Sequence, residues 1–167
     1  MNIIPYEPPM RQAALDLALR AWSPVFPQLK AAVPGFVYGA FYPEEWQKRQ
    51  LSDLGQILDN EPHTVDVAML QGQNGSETPQ LAGWVCTRIH PEDSMGEVYI
   101  LAVDPQFQRR GIGHALMDHS HDRARAAGMT MMMVETGGDP GHAPALHTYE
   151  AAGYQRWPVA RYFKNLQ

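Results

Sequence analysis

The sequence predicts one α/β domain, in which a sheet is flanked by helices. Two observations favour this class. Short apolar segments of strand length alternate along the chain with longer segments whose apolar residues recur at helical spacing. The chain has 167 residues, enough for one sizeable core, and contains no repeat, low-complexity tract or linker composition that would mark a second domain. We therefore expect residues 1–167 to form a single domain.

The N-terminal half of the chain is predicted to contain three strands and two helices. These elements are a strand over 2–6, helices over 10–22 and 44–58, and strands over 64–70 and 81–89. The last two strands are expected to pair across the polar segment 71–80, where Asn74-Gly75 is typical of a turn. Residues 24–43 are rich in proline and aromatic side chains, and no regular element is predicted for them.

The C-terminal half alternates strands and helices more regularly. Its predicted elements are a strand over 97–103, a helix over 111–127, a strand over 130–135, a helix over 143–152, and closing strands over 154–157 and 161–163. Gly128 and Gly153 directly follow the two helices, and glycine is the residue that most often ends a helix.

A basic, glycine-bearing turn joins the strand over 97–103 to the helix that follows it. Gly111 and Gly113 have no Cβ, so the backbone can approach an anion closely. The first N–H groups of a helix lack intrahelical partners, which favours a phosphate group at that end. Arg109 and Arg110 add positive charge beside the same point. The turn therefore predicts a binding site for a pyrophosphate group.

Two other phosphate-binding motifs do not fit this turn. A P-loop needs a glycine followed by Lys and Ser or Thr, whereas His114 and Ala115 follow Gly113. A dinucleotide-binding fingerprint needs a third glycine at the position where this chain has Leu116. The pattern that remains is Gln-x-x-Gly-x-Gly over 108–113, shortly after an apolar strand.

This pattern resembles the acyl-CoA-binding motif of the GNAT N-acetyltransferase superfamily. Further features match that family at the expected distances. Glu97 opens the strand six residues before Val103, where many GNAT enzymes carry a general base. Residues 145–154 resemble the second family signature, Ala-x-x-x-Tyr-(Glu)-x-x-Gly-Phe/Tyr, and a Met/Val run of strand length lies between the two motifs. The resemblance covers residues 83–164.

The resemblance implies a fold, an activity and a cofactor. The implied fold is a central mixed, mostly antiparallel sheet of about seven strands, flanked by about four helices and splayed where acyl-CoA binds. The implied activity is transfer of an acetyl group from acetyl-CoA to a primary amine of a small molecule or peptide. The transfer would be direct, within a ternary complex, and would need no metal.

The resemblance also implies which residues carry the chemistry. Glu97 would accept the proton of the amine, and Tyr149 would protonate the leaving thiolate. The alternatives are a solvated Glu97 and a Tyr149 that packs in the core. The Leu101 N–H would polarise the thioester carbonyl, and His142 stands where the family commonly has Asn. The implied acyl-CoA site consists of Leu101, Ala102, Val103, Gln108, Arg109, Arg110, Gly111, Ile112, Gly113, His114, His142 and Ala145.

Composition narrows the classes of partner. A formal net charge of −5 and a pI of about 5.7 argue against nucleic acid as the main partner. The first residues lack the basic and apolar regions of a signal peptide, and no run approaches membrane-spanning length, so we expect a cytoplasmic protein without a membrane partner. Cys86 is the single cysteine, and its strand context predicts a buried, inert thiol.

The acceptor is the least determined part of the prediction. In the GNAT family, acceptors contact the segment between the first two helices and the loop joining the last two strands, here 22–42 and 156–160. Their aromatic residues can wall an apolar or cation-binding cleft, or pack in the core. The excess of acidic over basic residues favours a cationic amine as the acceptor. A non-catalytic acyl-CoA-binding regulatory module and a domain that dimerises through its aromatic segment are the alternatives from other classes, and a homodimer is compatible with the sequence.

Overall fold

Among residues 1–71 and 79–167, which this computed structural model describes, five strands form the central sheet. They are β1 (Asn2–Pro5), β2 (Val65–Leu70), β3 (Gln80–His90), β4 (Met95–Val103) and β5 (Met131–Val134). Their order across the sheet follows the chain, and neighbouring strands are antiparallel except for β4 and β5, which are parallel. The predicted mixed, mostly antiparallel sheet is therefore confirmed. The predicted Asn74-Gly75 turn lies outside the described residues.

Six α-helices surround this sheet in the same described ranges. They are α1 (Arg11–Trp22), α2 (Val25–Ala32), α3 (Gly35–Phe41), α4 (Trp46–Asn60), α5 (Ile112–Ala126) and α6 (Ala143–Ala151). None of these helices is long and apolar enough to span a membrane.

The helices α2 and α3 occupy the segment 24–43, for which the sequence predicts no regular element, so that expectation is wrong. The prolines explain the difference. Pro27 lies in the first turn of α2, and Pro34 directly precedes α3. At these positions an N–H group has no intrahelical partner, so proline costs the helix nothing.

The predicted closing strands over 154–157 and 161–163 are also wrong, since residues 152–167 contain no strand. Pro158 divides the apolar run, and proline cannot donate to a strand ladder. The segment contacts the domain through side chains instead. The Phe163 ring packs edge-on against the Phe41 ring with centroids 5.9 Å apart, and Arg161 lies 3.3 Å from the Glu135 carboxylate. The described sheet therefore has five strands rather than about seven.

The sheet separates two hydrophobic clusters. One joins the sheet to α1 and α4, and within it the Trp84 indole N–H donates to the Ala14 carbonyl at 3.1 Å. The other joins the sheet to α5 through residues such as Val85, Val98 and Leu116. The fold thus fixes β4 between β3 and β5 and packs α5 across the strands beside the predicted pyrophosphate turn.

We expect Gly96→Ala to destabilise the fold by about 1–3 kcal/mol because it overpacks the point where β4, β5 and α5 meet. A Cβ on Gly96 would lie 2.5 Å from the Met132 sulfur and 2.6 Å from the Ala124 Cβ. The matched control is Gly39→Ala in α3, where a Cβ meets open space. It should raise stability by roughly 0.5–1 kcal/mol. Urea unfolding measures both changes, and equal stability of the Gly96 variant and the parent would contradict this packing.

Candidate active site

The strand β4 loses its β5 neighbour half-way along its length. The pairing covers residues 95–98 of β4, and residues 99–103 have no strand on that side in the part of the chain that the structure describes. A cleft of about 400 Å³ lies at this opening. Its lining consists of Glu97, Val98, Tyr99, Ile100 and Glu135. The sheet is therefore splayed at the position that the resemblance implies.

The backbone of β4 alternates in direction beyond the splay. The Asp104 N–H donates to the Ala82 carbonyl on the β3 side at 2.9 Å. Because successive residues of a strand direct their N–H and C=O groups to opposite sides, Ala102 faces β3 while Leu101 and Val103 face the opening. The backbone of Ala102 faces β3 and its side chain is buried in the core. The roles of Leu101, Ala102 and Val103 in acyl-CoA binding stay predictions.

A β-bulge lies where β4 leaves β5. Cys86 pairs with Ile100 and Thr87 pairs with Val98, which leaves Tyr99 as an extra residue in β4. Such a bulge bends the strand that carries it. The Arg88 guanidinium lies 3.4 Å from the centroid of the Tyr99 ring. No sequence signal predicts this bulge, and it accounts for the divergence of the two strands.

The glycine-bearing turn has the backbone geometry that a phosphate site needs. Gly111 precedes α5 with a φ of +80°, a backbone conformation that residues other than glycine adopt only with strain. The first intrahelical bond runs from the Ala115 N–H to the Gly111 carbonyl at 3.0 Å. The amides of Ile112, Gly113 and His114 therefore precede the hydrogen-bonded part of the helix.

The side chains of the turn are mostly exposed. Arg109 has a φ of +60°, and the Arg110 guanidinium lies 5.7 Å from the centroid of the buried Phe107 ring. The Gln108 amide donates to the Val103 carbonyl at 3.2 Å. The structure therefore connects the turn to the open end of β4, as the motif predicts. The Ile112 side chain is buried in the α5 core, so its amide is the group that faces the turn.

The Glu97 carboxylate is mostly buried, since only 12% of its side chain is exposed. It is therefore not the solvated side chain that the sequence analysis kept as an alternative. One of its oxygens lies 2.8 Å from Nε2 of His90. Sequence reasoning missed His90. The tight turn between β3 and β4 is the signal that could have found it, since that turn brings the two strand ends together.

Tyr149 lies in α6 beside a second tyrosine. Its ring meets the Tyr154 ring at a centroid distance of 6.0 Å, and burial raises the pKa of the Tyr149 phenol. The Tyr154 hydroxyl lies 2.8 Å from Nε2 of His121 on α5. Burial raises the pKa of Tyr154 to about 12 and lowers the pKa of His121, so a phenol O–H donates to a neutral imidazole. No hydrogen bond joins Tyr149 to Glu97 within the described ranges.

His142 is held by a carboxylate that the sequence analysis missed. Its Nδ1 lies 2.5 Å from the Asp139 carboxylate, which also accepts from the Gly141 N–H at 3.0 Å. The order Asp-Pro-Gly is typical of such a turn and is the signal that could have found Asp139. Neither His142 nor Ala145 forms a hydrogen bond with the Gly111 turn in the described ranges, so their place in the acyl-CoA site stays a prediction.

The Cys86 thiol is fully buried, as predicted. Its sulfur lies 3.2 Å from the Thr64 hydroxyl, and burial raises the pKa of the thiol. Because the thiolate is the nucleophilic form, this environment makes Cys86 inert.

The aromatic residues of the N-terminal segment pack mainly against one another. Phe26 is buried, stacks on Trp46 at 4.1 Å between ring centroids, and meets the Tyr42 ring edge-on at 5.4 Å. Phe26 therefore packs inside the domain, whereas Tyr42 and Trp46 are half-buried. Trp157, by contrast, is 84% exposed.

The sequence profile of the Acetyltransferase (GNAT) family matches residues 35–154. The chain belongs to this family. The match begins well upstream of residue 83, so it includes α3, α4 and the strands β2, β3 and β4.

Curated relatives and solved structures agree with this membership. The mycothiol acetyltransferase of Rhodococcus opacus is 30% identical over 124 residues, which are 71% of this chain and 39% of that protein. That of Rhodococcus jostii is 28% identical over 148 residues, which are 85% of this chain and 47% of that protein. The chain thus spans less than half the length of these two relatives.

Two solved structures have the same fold at low sequence identity. An aminoglycoside 6'-N-acetyltransferase from Acinetobacter haemolyticus aligns with a TM-score of 0.61 at 16% identity, over 99% of this chain and 98% of that one. The ribosomal-protein-S18-alanine N-acetyltransferase of Escherichia coli aligns with a TM-score of 0.57 at 23% identity, over 99% and 84%.

We expect the burial of His121 to make folding stability pH-dependent. Burial lowers the pKa of His121 in the folded protein below the usual histidine value of about 6.5, so the unfolded chain takes up the proton first as pH falls through that value. Folded stability is therefore lost towards acid pH. His121→Gln should lose less stability than the parent between pH 7.5 and pH 5.5, in urea unfolding at each pH. Tyr154→Phe keeps the buried imidazole and should retain the parental pH dependence, at a cost of about 0.5–1.5 kcal/mol. Equal pH dependence of parent and His121→Gln would contradict this assignment.

Proposed function

We propose that residues 1–167 form an acetyl-CoA-dependent N-acetyltransferase domain that acetylates a primary amine. The splay beside Glu97 carries this proposal. At one opening in the sheet, a carboxylate lines a cleft, the backbone of Leu101 and Val103 faces the opening with one carbonyl bonded to Gln108, and the strand leads into the Gly111 turn.

The chain's own groups fit the parts of acetyl-CoA. A diphosphate suits the amides of Ile112, Gly113 and His114 at the start of α5, with Arg109 and Arg110 beside them. The pantetheine arm contains amides, which suit the Leu101 and Val103 backbone as an added strand would. Acetyl-CoA supplies an activated thioester, and the residues at the splay would align its carbonyl with the amine.

The proposed transfer is direct. The amine nitrogen attacks the thioester carbonyl, the carbon–sulfur bond breaks, and the amine proton passes to the Glu97 carboxylate, directly or through one water. The Leu101 N–H stabilises the oxyanion that forms. The Tyr149 hydroxyl donates its proton to the departing thiolate. Burial raises the pKa of this phenol, so Tyr149 is protonated at neutral pH and has a proton to donate.

The acceptor we propose is a cationic amine of a small molecule or peptide. Glu97 and Glu135 line the same cleft, and the formal net charge of the chain is −5. The similar Rhodococcus proteins are named for mycothiol, which makes the acceptor of mycothiol acetyltransferases the first compound to test. A cytoplasmic location and a homodimer stay predictions.

The function is tested by acetyl-CoA turnover against a panel of amines, with released thiol as the readout. The panel contains the acceptor of mycothiol acetyltransferases, an aminoglycoside, a peptide with N-terminal alanine and a polyamine. We expect turnover with at least one amine, no acetyl adduct on Cys86 by mass spectrometry, and full activity of Cys86→Ala. Binding of CoA without turnover of any panel amine would favour the non-catalytic binding module. An acetylated Cys86 would contradict direct transfer.

Gly111→Glu should weaken CoA binding by at least tenfold, because it places a negative charge where we propose the pyrophosphate lies. Gly128→Glu is the matched control. Both glycines have a φ of +80° with nothing within 4 Å of an added Cβ, and they lie at opposite ends of α5. The two variants therefore carry similar backbone strain, and they differ in the position of the added negative charge. Isothermal titration calorimetry with CoA should show parental affinity for the control, and equal affinities of the two variants would show that the turn does not bind the pyrophosphate.

Tyr149→Phe and Glu97→Gln should each lower kcat by about a hundredfold to ten-thousandfold, as expected when a positioned acid or base is removed. Neither change should alter the affinity for acetyl-CoA measured by calorimetry. Tyr154→Phe removes the neighbouring hydroxyl and serves as the control for Tyr149, since its hydroxyl is bonded to His121 rather than directed to the thioester. Parental kcat in both active-site variants would mean that transfer depends on proximity alone.

A further inference from the structure

We propose that His90 is a positioning residue for Glu97, and this inference rests on the proposed role of Glu97 as the base. The His90 Nε2–H donates to one carboxylate oxygen of Glu97. The carboxylate is thereby held in one orientation, with its second oxygen left for the proton of the acceptor amine.

The contact combines short distance with burial. Nε2 of His90 lies 2.8 Å from Oε2 of Glu97, and the two side chains are 30% and 12% exposed. A carboxylate removed from water needs a hydrogen-bond donor, and in the described residues His90 is the side chain that supplies one. Without His90, the charge on Glu97 would be poorly solvated and its orientation less restricted.

The register of the hairpin explains why this residue serves Glu97. His90 pairs with Met95, and Glu97 pairs with Arg88. Arg88 lies directly opposite Glu97 but binds other groups. Its guanidinium makes two hydrogen bonds to the Glu61 carboxylate, at 3.0 Å and 2.8 Å, and lies over the Tyr99 ring. The diagonal neighbour His90 is therefore the donor that reaches the carboxylate.

His90 acts on Glu97 from outside the cleft at the splay. It lines a different cleft of about 410 Å³, together with residues that include Glu61, His63, Arg88 and Arg123. Glu97 lines the cleft at the splay, and His90 is not among the residues of that lining. The geometry therefore assigns His90 a role through Glu97 rather than contact with the reacting atoms.

Histidine NMR of the free protein tests the bond without any acceptor. Long-range proton–nitrogen spectra of the imidazole rings at pH 7.5 should show the His90 proton on Nε2, and Glu97→Gln should shift that signal. A His90 ring protonated on Nδ1 alone would overturn the proposal, because Nε2 would then have no hydrogen to donate.

Kinetics with the panel amine of highest turnover test the consequence. His90→Leu should lower kcat by about tenfold to a hundredfold, as for other residues that orient a reacting group. The KM for acetyl-CoA should stay within about twofold. His90→Gln retains a terminal N–H donor and should recover most of the lost kcat. If His90 works only through Glu97, the double variant of His90→Leu with Glu97→Gln should be no slower than Glu97→Gln alone.

The outcomes separate this inference from the proposed function. Parental kcat in Glu97→Gln would refute the role of Glu97 itself. A slow Glu97→Gln with a fully active His90→Leu would overturn only the role of His90. A His90→Gln as slow as His90→Leu, with both variants folded by circular dichroism, would mean that the imidazole takes the proton itself. That result would also overturn positioning.

Discussion

The uncovered edge of β4 is the constraint on which the candidate site depends. Backbone N–H and C=O groups of a strand need partners, and a neighbouring strand normally supplies them. The bulge at Tyr99 bends β4 where the pairing with β5 ends, so the backbone of Leu101 and Val103 faces an opening. The Gln108 side chain satisfies one of these carbonyls. An extended ligand that carries amide groups is the partner that we propose for the remaining edge, and this edge leads directly to the start of α5.

Three mostly buried carboxylates are each held by a donor. Glu97 at the opening is bonded to His90, Asp139 is bonded to His142, and Asp104 at the end of β4 is bonded to Arg20 of α1 at 2.5 Å. Removing a carboxylate from water is costly unless donors replace the water. The same bonds fix the orientation of these side chains before any ligand binds. Orientation of this kind is what electrostatic catalysis needs, since no group has to reorganise during the reaction.

The parts of the molecule that depend on local pattern could be predicted from the sequence. The strands around 64–70, 81–89 and 97–103 follow from apolar runs bounded by turns, and the Gly111 turn follows from residue types that favour a left-handed φ. The parts that depend on the register of strand pairing were not predicted. The bulge at Tyr99 is set by the register of β3 and β4. The bond between His90 and Glu97 depends on the hairpin of the same two strands, whose turn was the signal that the sequence analysis did not use. The apolar side chains among residues 154–163 do not decide whether the backbone finds a strand to pair with. In this structure these residues pair with no strand.

Burial has opposite consequences for the two kinds of group that could take part in the reaction. It raises the pKa of the Tyr149 phenol and of the Cys86 thiol for the same reason, because the charged form is disfavoured away from water. A phenol is protonated at neutral pH with or without this shift, so burial leaves Tyr149 with a proton to donate, although it makes the phenol a weaker acid. A nucleophile must lose its proton before it attacks, so burial disables Cys86. The same physical effect therefore argues against a covalent acetyl-cysteine, and it is compatible with the direct attack by the amine that we propose.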